Sequence, residues 1–286
     1  MSIRTILMPF ATTQNAQERL AGALEVTNFF QAHLEVMHAQ VGAKQLLPSE
    51  DRLISKSLYQ RIDQMVNEYI EDSISESKQV FDRLCDEHRV LVSTPIRNQS
   101  TALWHDIFRY RAEVVSEHGK ISDLIIIPKP ENGKTSVSFE AAIKHSTRPV
   151  LLMPRTQAHF DPQTVMIAWN GDAPAARAVH AALPLLKRAK QVVIVSSERS
   201  LAVKPDQYAL AHYLESHAVE VSHSVLETGR LKTPHALLEH AEALPADLIV
   251  AGAFAHRNLR KLVFGGVTKK TVIQPNDTFV CNELKR

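Results

Sequence analysis

Ser122-Asp123-Leu124-Ile125-Ile126-Ile127, near the middle of the chain, returns towards its end as Ala246-Asp247-Leu248-Ile249-Val250-Ala251. In both, a small residue and an aspartate lead into a short, continuous apolar run. Such a run reads as a strand buried on both faces, the habit of a parallel sheet covered by helices. A second pair lies upstream: Thr5-Ile6-Leu7-Met8-Pro9-Phe10 and Thr164-Val165-Met166-Ile167-Ala168-Trp169. Each is followed by small or polar residues and then a long amphipathic stretch, Ala16 to Gln31 and Ala173 to Ala189. A third pair, Arg148-Pro149-Val150-Leu151-Leu152-Met153 and Asn276-Asp277-Thr278-Phe279-Val280-Cys281, closes each copy. The chain is an internal repeat.

The two copies differ in length. Ile6 and Val165 are 159 positions apart, whereas Asp123 and Asp247 are 124 apart, so the first copy carries about 35 more residues before its central strand. These fall in Gly42 to Val90, where Leu58, Ile62, Met65, Ile70, Ile74 and Val80 keep a helical spacing of three to four. Pro154 to Pro162, polar and bounded by prolines, marks the boundary between copies. The domains predicted are 1–155, with a helical insertion at about 42–90, and 163–286. In the second domain strands at 164–169, 191–195, 220–226, 247–251 and 277–281 alternate with helices at 173–188, about 205–218, 234–243 and near 266–273. The fold class predicted is α/β: two tandem five-stranded parallel-sheet sandwiches, Rossmann-like.

Composition agrees. The 286 residues are 44% hydrophobic and 22% charged, suited to two ordinary domains. No apolar run approaches the ~18–20 residues that span a bilayer, and Met1 to Pro9 lacks the cleavage pattern of a secretory signal. Lys plus Arg is 33 against 31 for Asp plus Glu, a net charge of +2, too small to point to nucleic acid or an anionic membrane. Two cysteines, Cys85 and Cys281, give no disulfide framework; a cytoplasmic protein is the expectation.

In open α/β sheets ligands bind beyond the carboxyl ends of the strands. Two loops of the second domain qualify: Asn170-Gly171-Asp172 after Trp169, and the segment from Gly252 to Thr268. The chain has 9 glycines, and three of them, Gly252, Gly265 and Gly266, fall in that segment. Gly265-Gly266 entering a helix would turn free N–H groups towards an anion. Tight turns of a surface loop explain the same glycines equally simply.

This segment resembles the signature of the universal stress protein family, Gly-x2-Gly-x9-Gly-(Ser/Thr). Arg177-Ala178-Val179, Leu183-Pro184-Leu185-Leu186 and Ala236-Leu237-Leu238-Glu239-His240-Ala241 support the likeness, which covers nearly all of the second domain. In the first domain it rests on Ile6-Leu7-Met8-Pro9, Asp123-Leu124-Ile125-Ile126 and Arg148-Pro149-Val150-Leu151-Leu152-Met153-Pro154. The chain thus looks like a tandem universal stress protein of the adenine-nucleotide alpha-hydrolase-like fold. The resemblance implies a site for ATP or AMP with Mg²⁺ at Trp169, Asn170, Gly171, Asp172, Gly252, Ala255, His256, Gly265, Gly266, Val267 and Thr268. The chain departs from the motif in three side chains. Ala255 replaces the second glycine, Gly266 the Ser or Thr, and Asn170 the acidic residue after the first strand; Asp172 stands two positions late.

The first domain reads as scaffold. After Ile127 it continues Pro128-Lys129-Pro130-Glu131-Asn132-Gly133-Lys134-Thr135, with no glycine doublet and two prolines that remove donors. Gly133-Lys134-Thr135 imitates a phosphate-binding loop, but Pro128 occupies the place of its first glycine. His212 and His217, like His235 and His240, are five apart, so neither pair shares a helical face as a metal site would require. Trp104 and Trp169 lie in apolar surroundings and read as core or rim.

The resemblance implies a non-catalytic binding or signalling module of the stress response that senses an adenine nucleotide through its second domain. An adaptor without nucleotide is the alternative. A slow ATP hydrolase is another, although Asp172 is the sole well-placed acid and no base is evident. The resemblance also implies that Val150-Leu151-Leu152 and Thr278-Phe279-Val280 pair within the chain as an intramolecular pseudo-dimer, with a further homodimer open. No nucleic-acid or membrane partner is expected.

Overall fold

A computed structural model of the chain describes residues 2–42, 55–129, 136–156, 159–226, 233–244, 246–252 and 278–281. The first half runs β1 (Thr5–Phe10), α1 (Ala16–Phe30), β2 (His33–Ala39), α2 (Lys56–Glu87), β3 (Leu91–Val92), β4 (Thr101–Ile107), α3 (Arg111–His118), β5 (Leu124–Pro128), α4 (Val137–Ala141) and β6 (Val150–Met153). The second runs β7 (Thr164–Ala168), α5 (Ala173–Leu186), β8 (Gln191–Ser197), α6 (Gln207–Ser216), β9 (Ser222–Leu226), α7 (Thr233–Ala243), β10 (Leu248–Val250) and β11 (Thr278–Cys281). The helix expected near 266–273 lies outside the described residues.

The strands form one eleven-stranded sheet in the order β3-β4-β2-β1-β5-β6-β11-β10-β7-β8-β9. Neighbours are parallel everywhere except at the centre. There β6 and β11 pair antiparallel, with Phe279 opposite Leu152, Val280 opposite Leu151 and Cys281 opposite Val150. The five-stranded expectation for the first half is one strand short, because β3, two residues long, adds to β4 at the outer edge.

Alternate residues of the central strands feed opposite faces, as a covered parallel sheet demands. Ile6, Met8, Leu124, Ile126, Leu248 and Val250 pack under α1, α2, α5 and α6. Leu7, Ile125, Ile127 and Ile249 pack under α3, α4 and α7. Both cores are continuous across the two halves.

The repeated aspartate has a mechanical role. Asp123 Oδ2 accepts from the Arg4 and Thr5 N–H groups, at 2.8 and 3.0 Å, and from the Thr5 hydroxyl at 3.2 Å. Asp247 Oδ2 accepts from the N–H groups of Gln163 and Thr164, at 2.9 and 2.8 Å. In each half the carboxylate before the central strand ties down the amino end of the opening strand, whose first N–H groups lack a ladder partner.

The insertion is α2. Ser55 caps it by accepting from Leu58 N. Its later turns bury Phe81, Leu84 and Cys85 against α1 and the sheet, and Ile70, near its middle, is buried too. Its early turns leave Met65 69% and Tyr69 71% exposed. The apolar periodicity over 58–80 therefore marks the helix correctly, but its first half overhangs the body of the molecule.

Candidate functional site

β7 and β10 are neighbours, Val165 to Ile167 lying against Leu248 to Val250. Their carboxyl ends deliver Trp169–Asp172 and Ala251–Gly252 to one edge, over the first turn of α5. Trp169 is 5% exposed and donates its indole N–H to the Pro205 carbonyl oxygen at 3.0 Å. The Asp172 N–H donates to Asn170 Oδ1 at 3.2 Å, and Asn170 Nδ2 donates to Asp172 Oδ2 at 2.9 Å. Gly171 has φ of +78°, a left-handed conformation suited to glycine, and a Cβ there would lie 2.9 Å from Val203 Cγ1.

Gly252 is required by packing. A Cβ on it would lie 2.7 Å from Ala175 N and 2.8 Å from Pro174 C. The space beside its α-carbon is thus filled by the backbone of α5. Asn170 and Asp172 present an amide and an exposed carboxylate, groups that suit a ribose hydroxyl and a cation. Ala255, His256, Gly265, Gly266, Val267 and Thr268 lie outside the described residues, as does the Gly133-Lys134-Thr135 turn. Beside Trp169 a largely apolar cavity of about 610 Å3 runs between α5 and α6, bordered by Pro205, Tyr213 and Pro149 of the first half. Arg177 borders it too, and its Nε is buried without a hydrogen-bond partner.

The first half holds a second crevice, at the carboxyl ends of β1, β2 and β4, with a volume of about 640 Å3. Parallel pairing sets His38 of β2 directly opposite Asp106 of β4. His38 is 2% exposed, and its Nδ1 lies 2.9 Å from Asp106 Oδ1, which also accepts from Trp104 Nε1 at 2.9 Å. An ionised carboxylate only accepts, so His38 carries its proton on Nδ1 and offers Nε2 as acceptor. Burial pulls the His38 pKa below the ordinary histidine range, with Asp106 opposing and Arg111 assisting. The imidazole is therefore neutral at pH 7.

Gln40 Nε2 is 3.0 Å from His38 Nε2, whereas the Thr12 hydroxyl is 3.5 Å away. Thr12 Oγ1 instead joins Ser73 Oγ at 3.2 Å and Ser77 Oγ at 3.3 Å, both hydroxyls on the buried face of α2. The amide holds the imidazole lone pair, so the row Thr12–His38–Asp106 is a satisfied polar floor and not an activated nucleophile.

Arginines stand over this floor. Arg109 is engaged by Glu117 at 2.7 Å and Glu113 at 3.3 Å. Arg111 makes no ion pair within 4 Å among the described residues, and its Nε is buried without a hydrogen-bond partner. Burial alone lowers its pKa from the ordinary arginine value, yet the guanidinium stays charged. Among the described residues no group of three or more His, Cys, Asp or Glu side chains is placed to hold a metal ion.

The first half, expected to be scaffold, thus contains a built polar crevice that sequence reasoning missed. A signal existed: His38 and Asp106 are polar residues near the ends of two apolar strands, where a ligand would be met. Ser73, Ser77 and Arg111 gave no such signal, because only the path of α2 and the β4–α3 turn brings them to the crevice.

No family model and no curated protein matches the chain by sequence. Solved structures match along almost its whole length. A universal stress protein from Archaeoglobus fulgidus is 14% identical with a TM-score of 0.65, the match covering 98% of each chain. A putative universal stress protein from Pseudomonas aeruginosa UCBPP-PA14 is 13% identical at 0.55, over 98% of this chain and 93% of its own. A protein of unknown function from Pseudomonas aeruginosa PAO1 is 13% identical at 0.50, over 98% and 92%. In architecture, the chain has the α/β fold of the universal stress proteins.

Proposed function

We propose that the chain is a tandem universal stress protein, a non-catalytic binding and signalling module whose crevice at β7 and β10 receives an adenine nucleotide. The reading is supported above all by one juxtaposition: the parallel pairing of β7 with β10 brings Asn170–Asp172 and Gly252 together over the first turn of α5. There the Asn170 amide would meet a ribose hydroxyl and the Asp172 carboxylate a phosphate-bound Mg²⁺. The antiparallel pairing of β6 with β11 supports the pseudo-dimer reading, because it joins the two closing strands within one chain and leaves neither as an open edge.

The full chain is titrated with ATP and with AMP, with and without Mg²⁺, by calorimetry. Asp172→Ala and Asn170→Ala are titrated beside it, and small molecules released on denaturation are identified by mass spectrometry. One saturable site per chain, weakened in both variants, is expected. Heat that is the same in the variants, or none in any of them with no nucleotide released, would sink the reading. An adaptor without nucleotide is favoured by one observation, that packing against α5 accounts for Gly252 without a ligand.

A further inference from the structure

The first-half crevice is built unlike the one at β7 and β10. Its floor is polar and satisfied, through His38, Asp106, Thr12, Ser73 and Ser77. Its wall on the α2 side is apolar, through Met65, Val66 and Ile70, and Ala11, Ala39 and Val41 extend it. Over it stands Arg111, a partly buried cation with a buried, unpartnered Nε and no anionic partner among the described residues. A guanidinium partly withdrawn from water is a favourable partner for an opposite charge. Among the described residues the neighbouring carboxylates are engaged elsewhere. Asp106 is taken up by His38 and Trp104, and Glu113 and Glu117 face Arg109. Arg111 is thus the one cation lining the crevice that no carboxylate engages among the described residues.

We propose that this crevice binds a small organic carboxylate, its anionic end on Arg111 and its apolar body against Met65, Val66 and Ile70 of α2. A single guanidinium above a floor that already holds the Asp106 carboxylate favours a singly charged carboxylate over a doubly charged phosphate; the planar fork of arginine suits a carboxylate in two-point contact. A volume of about 640 Å3 accommodates a molecule of several carbons. The exposed Met65 and Tyr69 complete the apolar side, and methionine adapts to bodies of different shape. The overhang of α2 thereby acquires a purpose, as the wall of a ligand site.

The test uses the full-length protein, with hexanoate and benzoate as probes, hexanamide as the uncharged match and inorganic phosphate as the competing anion. Binding is read by calorimetry and by the shift in thermal midpoint. Organic acids released from the purified chain on denaturation are identified by mass spectrometry. Saturable binding of a carboxylate probe, or release of a bound organic acid, is expected, with hexanamide and phosphate weaker. Loss of one partner of a buried charge pair should weaken the probe about thirtyfold or more in Arg111→Gln. Arg111→Gln keeps a polar side chain at a partly exposed position, so its thermal midpoint without probe should stay close to that of the parent.

Asp172→Asn, in the other crevice, should leave carboxylate binding unchanged, so the two readings fail separately. Equal probe affinity in Arg111→Gln, tighter binding of phosphate, or neither probe binding and no organic acid released, would each overturn the proposal.

Discussion

Replacing Gly252 by alanine separates a glycine kept for a ligand from one kept for packing. A Cβ at this position would lie 2.7 Å from Ala175 N, 2.8 Å from Pro174 C and 2.9 Å from Pro174 Cβ, where ordinary contact begins at 3.4 Å. The nearest two of these atoms are backbone, so no side-chain rotation relieves them. The end of β10 and the start of α5 must part by about 0.7 Å at the tightest point, loosening a junction between elements that share a core. Overpacking of this kind costs about 1–3 kcal/mol. With each kcal/mol moving the midpoint of a long chain by about 2–4 °C, Gly252→Ala should lower the thermal midpoint by about 2–12 °C. Urea unfolding and a thermal melt, both without nucleotide, measure it. A variant as stable as the parent but deficient in ATP binding would refute the packing account and restore Gly252 to the ligand.

Three further expectations follow from the fold. Asp247→Ala strips acceptors from the N–H groups of Gln163 and Thr164, and should cost about 1–3 kcal/mol in urea unfolding, with Asp123→Ala at least as costly; a neutral result would deny the aspartates their clamping role. Burial pushes the Cys85 thiol up to about 12, so iodoacetamide at pH 8 should leave it unmodified in the native chain and alkylate it in urea, as peptide mapping would show. Because the folded pKa of His38 is depressed, its contribution to stability is present above the ordinary 6.5 and is lost as pH falls through that value towards the folded one. Glu35, held below 4.5 chiefly by its bond from His33, loses its share only at lower pH. Between pH 7 and 5 the parent should therefore lose more stability than His38→Asn, and parallel melts would contradict the assignment.

The architecture was legible because its strands are continuous apolar runs and because an aspartate marks each central strand. Both signals have local causes, burial on two faces and a carboxylate needed at a strand end. The extra strand β3 escaped notice because Leu91 and Val92 are exposed and too few to show a pattern. Periodicity announced α2 but not where it stops touching the body, since Leu58, Met65 and Tyr69 look like core residues and face water. In the site, Gly252 was legible as a special position, yet its reason lies in Pro174 and Ala175, seventy-odd residues earlier in the chain. The first-half crevice was illegible for the same cause: Thr12, His38, Ser73, Asp106 and Arg111 span a hundred positions and meet only through the fold.

The antiparallel seam between β6 and β11 has a consequence for how the molecule meets its surroundings. Every strand of the first half points one way and every strand of the second the other, so the carboxyl rims of the halves face opposite directions. Whatever docks at β1, β2 and β4 cannot touch or block whatever docks at β7 and β10. On the proposed reading of the two crevices, the chain is a double-ended connector for two different guests. Any influence of one guest on the other has to travel through the three residue pairs of the β6–β11 seam and the cores that the halves share on both faces of the sheet.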